Sequence, residues 1–332
     1  MPWFSFQFND FAYSFLSVLF EGIPFLLLGS LISGFIDVFV SSERLSRLLP
    51  KNGVAAIFAG GLLGLVLPMC ECGSVVVIRR FIRKGLPLSC AVTYMLAAPI
   101  VSPIVALSTF AAFKGQSPGL MTSLRLSIGF IIAVAVGLIV QRLRVSAVMQ
   151  LEMIEPDTGR NRAGLRMAAI PGNEDGRELA AGATFGQKVL QAIQSATADF
   201  LDVAFFLIIG CAITSIFNTA VRQDVILPFA THLPVAIVTM MGLAAGLALC
   251  STSDAFIAAS FATFPFAAKL AFLLFGPVFD LKLFWLYGLI FRRRFVVLLS
   301  LGLFVAIGLI CWRTGDAIDP LKSVRPASSL AP

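Results

Sequence analysis

Three cysteines and three carboxylates carry the chemistry that this sequence can offer. Cys70 and Cys72 flank Glu71, immediately after an apolar run that ends at Pro68. Two thiols one residue apart can share a soft metal or metalloid, because thiolate sulfur selects soft ions. Cys250 heads a second polar run, Cys250, Ser251, Thr252, Ser253 and Asp254, also after an apolar stretch. Sulfur, hydroxyls and a carboxylate in a row read as the lining of a cavity, with Cys70, Cys72 and Cys250 as the soft-ion ligands. The plain alternatives are a helix cap, where Ser and Asp are common, and cysteine as a small hydrophobe. The latter reading suits Cys90, Cys211 and Cys311. A third element is the proline-interrupted run. LAAPIVSPIV contains Pro99 and Pro103, and LLFGPVFDLK contains Pro277. Proline inside a helix frees the carbonyl four residues earlier, and in membranes freed carbonyls can line ion or solute sites. Ser102 and Asp280 each follow such a proline by three residues and complete the expected solute-binding set. Asp280, amid Val, Phe and Leu, needs work or a partner, and Lys282 is the nearest candidate. Glu21 and Asp202 read as boundary charges, and His232, the sole histidine, as interfacial.

The elements that hold these residues must lie in lipid. Hydrophobic residues make up 58% of the 332, and only 13% are charged. Soluble domains carry about 25% charged residues. Moreover, 13 of the 43 charges fall between Arg142 and Lys188, leaving the rest poorer still. Apolar stretches near the ~17–25 residues of a spanning helix recur from Phe11–Val40 to Phe295–Trp312. An all-α, polytopic membrane protein with 8–10 membrane segments follows. The net charge of +7 is no nucleic-acid footprint, because the basic residues cluster at the ends of apolar runs, as topology signals do. The opening MPWFSFQFND lacks the basic region of a cleavable signal.

The chain also repeats itself. A shift of 178 residues carries Cys72 onto Cys250, Pro87 onto Pro265 and Pro99 onto Pro277. A slip of three more aligns residues 21–33 with 202–214. Four parts are expected: a first membrane repeat at 1–141, a polar linker at 142–195, a second repeat at 196–313, and a flexible tail at 314–332. The linker ends in an amphipathic pattern (Phe185, Val189, Ile193, Ala196) that suggests a helix on the membrane surface. Basic clusters at Arg79–Lys84 and Arg292–Arg294 occupy non-equivalent positions in the two halves. Both can be cytoplasmic only if the second repeat is inverted, an architecture of secondary transporters with the solute site at the midplane. Between Gly73 and Arg83 the chain is too short to cross as a helix. Residues 53–84, and their counterpart 235–264, are therefore either re-entrant hairpins or a crossing with a short tilted return. The hairpin puts Glu71 deep in the membrane, where a charge costs ~2.5–3.5 kcal/mol or more unless paired.

PMCECGSVVVIRRFIRKGLP, LAAPIVSPIV, LCSTSDAFIAASF and FGPVFDLKL resemble the bacterial permease family that includes ArsP-type and YraQ-type proteins. The resemblance covers both membrane halves. It implies a multi-pass permease of the bacterial inner membrane, and ArsP-type members export trivalent organoarsenicals with membrane cysteines proposed to handle the substrate. Relatives often carry Asn where this chain has Ser102. No nucleotide-binding G-x-x-x-x-G-K-[ST] loop is present, so the driving force must come from an ion gradient or a separate subunit. The expected partners are lipid, a small solute or ion, and a second copy or accessory subunit, with no nucleic acid and no cofactor. The rival reading is a membrane thiol-disulfide oxidoreductase using Cys70 and Cys72, against which stands the strain of a one-residue disulfide loop. An intramembrane hydrolase lacks a nucleophile–base pair.

Overall fold

The computed structural model describes residues 8–39, 52–67, 69–150, 185–220, 232–261 and 263–322. Among them the regular structure is helical: α1 (Phe8–Phe39), α2 (Gly53–Val66), α3 (Glu71–Arg83), α4 (Leu88–Ala97), α5 (Pro103–Ala112), α6 (Pro118–Gln141) and the single turn α7 (Val145–Val148), then α8 (Phe185–Ala220), α9 (Leu233–Leu247), α10 (Asp254–Ser260), α11 (Phe266–Phe275), α12 (Leu281–Tyr287) and α13 (Arg293–Lys322). Lipid offers backbone N–H and C=O groups no partners, which makes helices the default for such apolar sequence.

Four of these helices are long and apolar enough to cross a membrane, over Asn9–Phe39, Pro118–Gln141, Phe185–Ile216 and Arg293–Gly315. The other apolar helices are short. The 14 residues of α2 extend about 21 Å, against a hydrocarbon core of ~30 Å. The expected break in residues 86–113 falls at the prolines. α4 stops at Ala97, a buried turn holds Pro99, and Pro103 opens α5 at a position where its missing N–H is harmless. The second half breaks in the same way, with Pro277 in the turn between α11 and α12.

Several elements line up under the 178-residue shift. Shifting α4 by 178 residues reproduces the bounds of α11, and Pro87 and Pro265 are the respective N-caps. Likewise Ser102 precedes α5 as Asp280 precedes α12. In each half the second helix packs on the fourth and sixth (α2 on α4 and α6, α9 on α11 and α13), and α3 meets α12 as α10 meets α5. The most extensive helix pair is α1 with α8. A Cβ on Gly22 would touch Leu207, and one on Gly34 would strike Ala192 and Ala196, so numbering rises along α1 as it falls along α8. The two helices are antiparallel.

Two expectations change. The amphipathic segment at 185–196 is not a separate surface helix but the first turns of the continuous α8, with Ala192 and Ala196 on the buried side and Phe185 and Ile193 exposed. The apolar pattern that suggested a surface helix belongs to an element packed on α1. At the other end, α13 runs on to Lys322, past the 313 boundary. Residues 151–184, most of the linker, and 323–332 of the tail lie outside the described residues.

Candidate substrate pocket

Each site residue is delivered by a helix end. Cys70 is the N-cap of α3, its sulfur accepting from Gly73 N at 3.3 Å, so Glu71 and Cys72 sit in the first turn. α9 is capped by Ala248, held in the left-handed region at φ 46, which leaves residues 249–253 non-helical until α10 begins. L-residues resist that conformation by about 1–2 kcal/mol. The strain turns the Ala248 carbonyl toward Lys282, which donates to it at 3.1 Å. Lys282 lies in the first turn of α12, whose N-cap Asp280 accepts from Leu283 N at 2.6 Å.

These ends meet in a narrow pocket lined by Val18, Glu21, Gly22, Cys70, Glu71, Cys72, Leu207, Ala248, Cys250 and Lys282. Lys282 Nζ stands 3.1 Å from Glu71 Oε1 and 3.5 Å from Asp280 Oδ2, all three side chains nearly sealed from solvent. One ammonium thus serves two carboxylates. Glu71 Oε2 has no hydrogen-bond partner, and Asp280 Oδ2, despite its distance to Lys282, lacks hydrogen-bonding geometry. Close helix approach makes the arrangement possible. A Cβ on Gly29 of α1 would come within 2.8 Å of Gly73 Cα, and one on Gly210 of α8 within 2.8 Å of Lys282 Cα. Only glycine lets α1 and α8 press against the two helix starts that carry the charges.

The second polar run divides its residues. Cys250 lines the pocket, and Ser253 Oγ donates to Glu21 Oε1 at 2.6 Å. Asp254 faces away into a fully buried fork, with Arg125 Nη1 and Nη2 at 3.1 and 2.7 Å from its two oxygens. Arg125 also donates to Thr109 Oγ1 at 2.8 Å and to the Ser251 carbonyl at 3.2 Å. Thr252 is half-buried. Ser102 Oγ accepts from Ile104 N as an ordinary cap, and neither it nor Pro99 or Pro277 borders the pocket. All six cysteines are free thiols. Among the described residues no group of three or more His, Cys, Asp or Glu side chains is gathered tightly enough to hold a metal ion.

Sequence reasoning missed Arg125 and Thr109 and set Glu21 aside as a boundary charge. Arg125 carried one usable signal, a lone cation inside a 24-residue apolar helix, since such a residue demands a buried partner. Also unread was the network at the far end of α3. Arg80 forks onto Asp199 at 2.8 and 3.0 Å and reaches Asp37 at 3.0 Å, while Arg79 meets Asp202 at 3.1 Å.

Long apolar helices and proline-broken half-helices around a narrow pocket define a multi-pass membrane protein. The chain belongs to the family described as "Predicted permease" (ArsP_1), whose model matches residues 7–312. It is 36% identical over 289 residues to UPF0718 protein YcgR of Bacillus subtilis (strain 168), covering 86% of this chain and 90% of that protein. It is 32% identical over 288 residues to a Streptococcus mutans protein (serotype c, strain ATCC 700610 / UA159) named as a subunit of a two-component membrane permease complex, covering 85% and 87%. These relatives are bacterial, in keeping with a multi-pass protein of the bacterial plasma membrane. No solved structure matches the chain.

Proposed function

We propose that this permease moves a small thiophilic solute, a soft metal or metalloid species, through the pocket between two inverted halves. One observation carries the reading: thiols from both halves, Cys70 and Cys72 of the first and Cys250 of the second, line a single pocket beside Glu21, Glu71 and Lys282. Soft sulfur ligands favour such a solute. The sulfurs do not form a closed metal cluster, which suits a site that must bind and release rather than store. Trivalent organoarsenicals, the substrates of ArsP-type relatives, are the first solutes to assay, and export is the direction to test.

The inverted arrangement draws support from the antiparallel pairing of α1 with α8, the two first helices of the repeats. It is also supported by a short bridge that joins Met149 to Phe291, with Gln150 N donating to Ile290 O and Arg292 N to Val148 O. That bridge brings the end of the first half beside the basic cluster Arg292–Arg294, as a common cytoplasmic face requires. The second half then begins near Phe185 rather than at 196. The name of the Streptococcus mutans relative makes an accessory subunit a reasonable source of driving force here too.

The test is transport of radiolabelled or mass-detected solute into or out of cells and vesicles. Cys72→Ser and Cys250→Ser should each lower transport of a thiophilic solute at least tenfold, and the double variant should be little worse than either. Strictly additive losses would argue against a shared site. Full activity in the double variant would end the thiolate reading and leave Glu21, Glu71 and Lys282 to a harder solute.

A further inference from the structure

α3 is a rigid lever with the pocket at one end and an ionic cluster at the other. Glu71 opens the helix and Arg80 lies nine residues on, about 14 Å along the axis at 1.5 Å per residue. At that far end Arg80 of the first half forks onto Asp199 of α8, the first helix of the second half, and reaches Asp37 at the end of α1. Ser33 donates to the same Asp199 at 2.9 Å, Ser195 to Asp37 at 3.3 Å, and Lys84 caps the carbonyls of Ile36 and Asp37. Three helices that wall the pocket (α1, α3 and α8) are thereby tied together on one side of it.

The positions that the repeat makes equivalent do not carry such charges. By the 178-residue shift, Arg79, Arg80 and Lys84 correspond to Ile257, Ala258 and Ala262, and with the three-residue slip Asp37 and Asp199 correspond to Asn218 and Val18. An ion-pair cluster needed only to hold helices together would have served both repeats. The burial differs as well. Arg125 and Asp254 are 0% and 2% exposed, a pair that is expensive to break. In the Arg80 cluster, Arg80 is 15%, Asp199 6% and Asp37 30% exposed, so water reaches the Arg80–Asp37 contact and can replace it at smaller cost. A contact that must open and close in every cycle needs that second kind of pair.

We propose that Arg80, with Asp199 and Asp37, is the gate on the cytoplasmic side of the pocket, drawn closed in this structure. Its release swings α3 and admits water and solute to Cys70 and Glu71. This rests on the permease reading, in which the pocket is the solute site.

The test labels native Cys70, the one half-buried member of the pocket's thiols, with a membrane-impermeant maleimide, located by peptide mass mapping. Inside-out vesicles expose the cytoplasmic face and intact cells the other. Asp199→Asn and, as a milder second variant, Asp37→Asn should speed Cys70 labelling at least threefold in inside-out vesicles and leave it unchanged from outside. Exchanging the charges (Arg80→Asp with Asp199→Arg) should return the rate toward that of the unaltered protein. Unchanged labelling in both Asn variants overturns the gate, as does acceleration from both faces or of all six thiols alike, which would mean general loosening. The labelling needs no solute, so the two readings fail separately. A gate response in a protein that moves no thiophilic solute removes the permease reading's substrate, whereas normal transport with no response removes the gate.

Discussion

Asp254 illustrates how a membrane carboxylate changes meaning with its partner. The row of small polar residues around it reads as a solute lining, yet its two oxygens are held by Arg125 inside a buried seam. Removing one member of a buried pair strands the other, at a cost of about 3–5 kcal/mol. Arg125→Met should therefore lower the thermal stability of the detergent-solubilised protein sharply, and Arg125→Met with Asp254→Leu should recover most of the loss. If the double variant is no more stable than the single one, the pair does something other than neutralise itself. Ala248 offers a quieter test. Its left-handed backbone suits glycine, so Ala248→Gly should raise stability by up to about 1 kcal/mol, read as an increase in unfolding midpoint. A fall would mean that the Ala248 methyl packs more usefully than its strain costs.

Among the helices, the decisive contacts are made by glycines of α1 and α8. Gly29 and Gly210, equivalent under the slipped alignment, each admit the backbone of a charge-bearing helix start. A methyl group there meets backbone rather than a movable side chain, so α3 or α12 must shift. Gly29→Ala and Gly210→Ala should each reduce transport severalfold and lower stability by about 1–3 kcal/mol, the range for overpacking. Gly302 in α13 meets nothing within 4 Å, and Gly302→Ala should be neutral or stabilising by about 1 kcal/mol through helix propensity alone. Equal effects at all three sites, measured by transport and thermal unfolding, would show that close approach is not what the first two glycines provide. The half-helices make a related point. α4 and α5 are each ten residues, so their termini meet inside the protein, where Ser102 and Asp280 serve first as caps.

For the molecule as a whole, the positions of charge test the inverted topology proposed above. The bridge between Met149 and Phe291 sets Arg292 beside the end of α7, and Lys84 meets the end of α1. Single cysteines introduced at Arg83, Arg144 and Arg294 in a background stripped of reactive thiols should resist a membrane-impermeant reagent in intact cells and react in inside-out vesicles. Reaction of any one of them from outside would break the inverted arrangement.

Composition and periodicity by themselves determined the solvent, the helical class and the proline breaks, because those depend on local preferences and on lipid's refusal to solvate backbone. They also marked Cys70, Glu71, Cys72 and Cys250, since polar groups are rare enough in such a chain to stand out. What they could not assign was pairing. Glu71 takes Lys282, 211 positions away, and Asp254 takes Arg125, 129 positions away. Each choice depends on which helix ends meet, and that is set by glycine contacts and break angles distributed over both halves. The sequence could name Lys282 as a neighbour of Asp280, three-dimensional packing made it the shared counter-ion of two carboxylates. For the same reason only the antiparallel packing of α1 and α8 sets Asp199 and Asp37 against Arg80. Identity and spacing decide what a buried group needs, and only the tertiary fold decides what it finds.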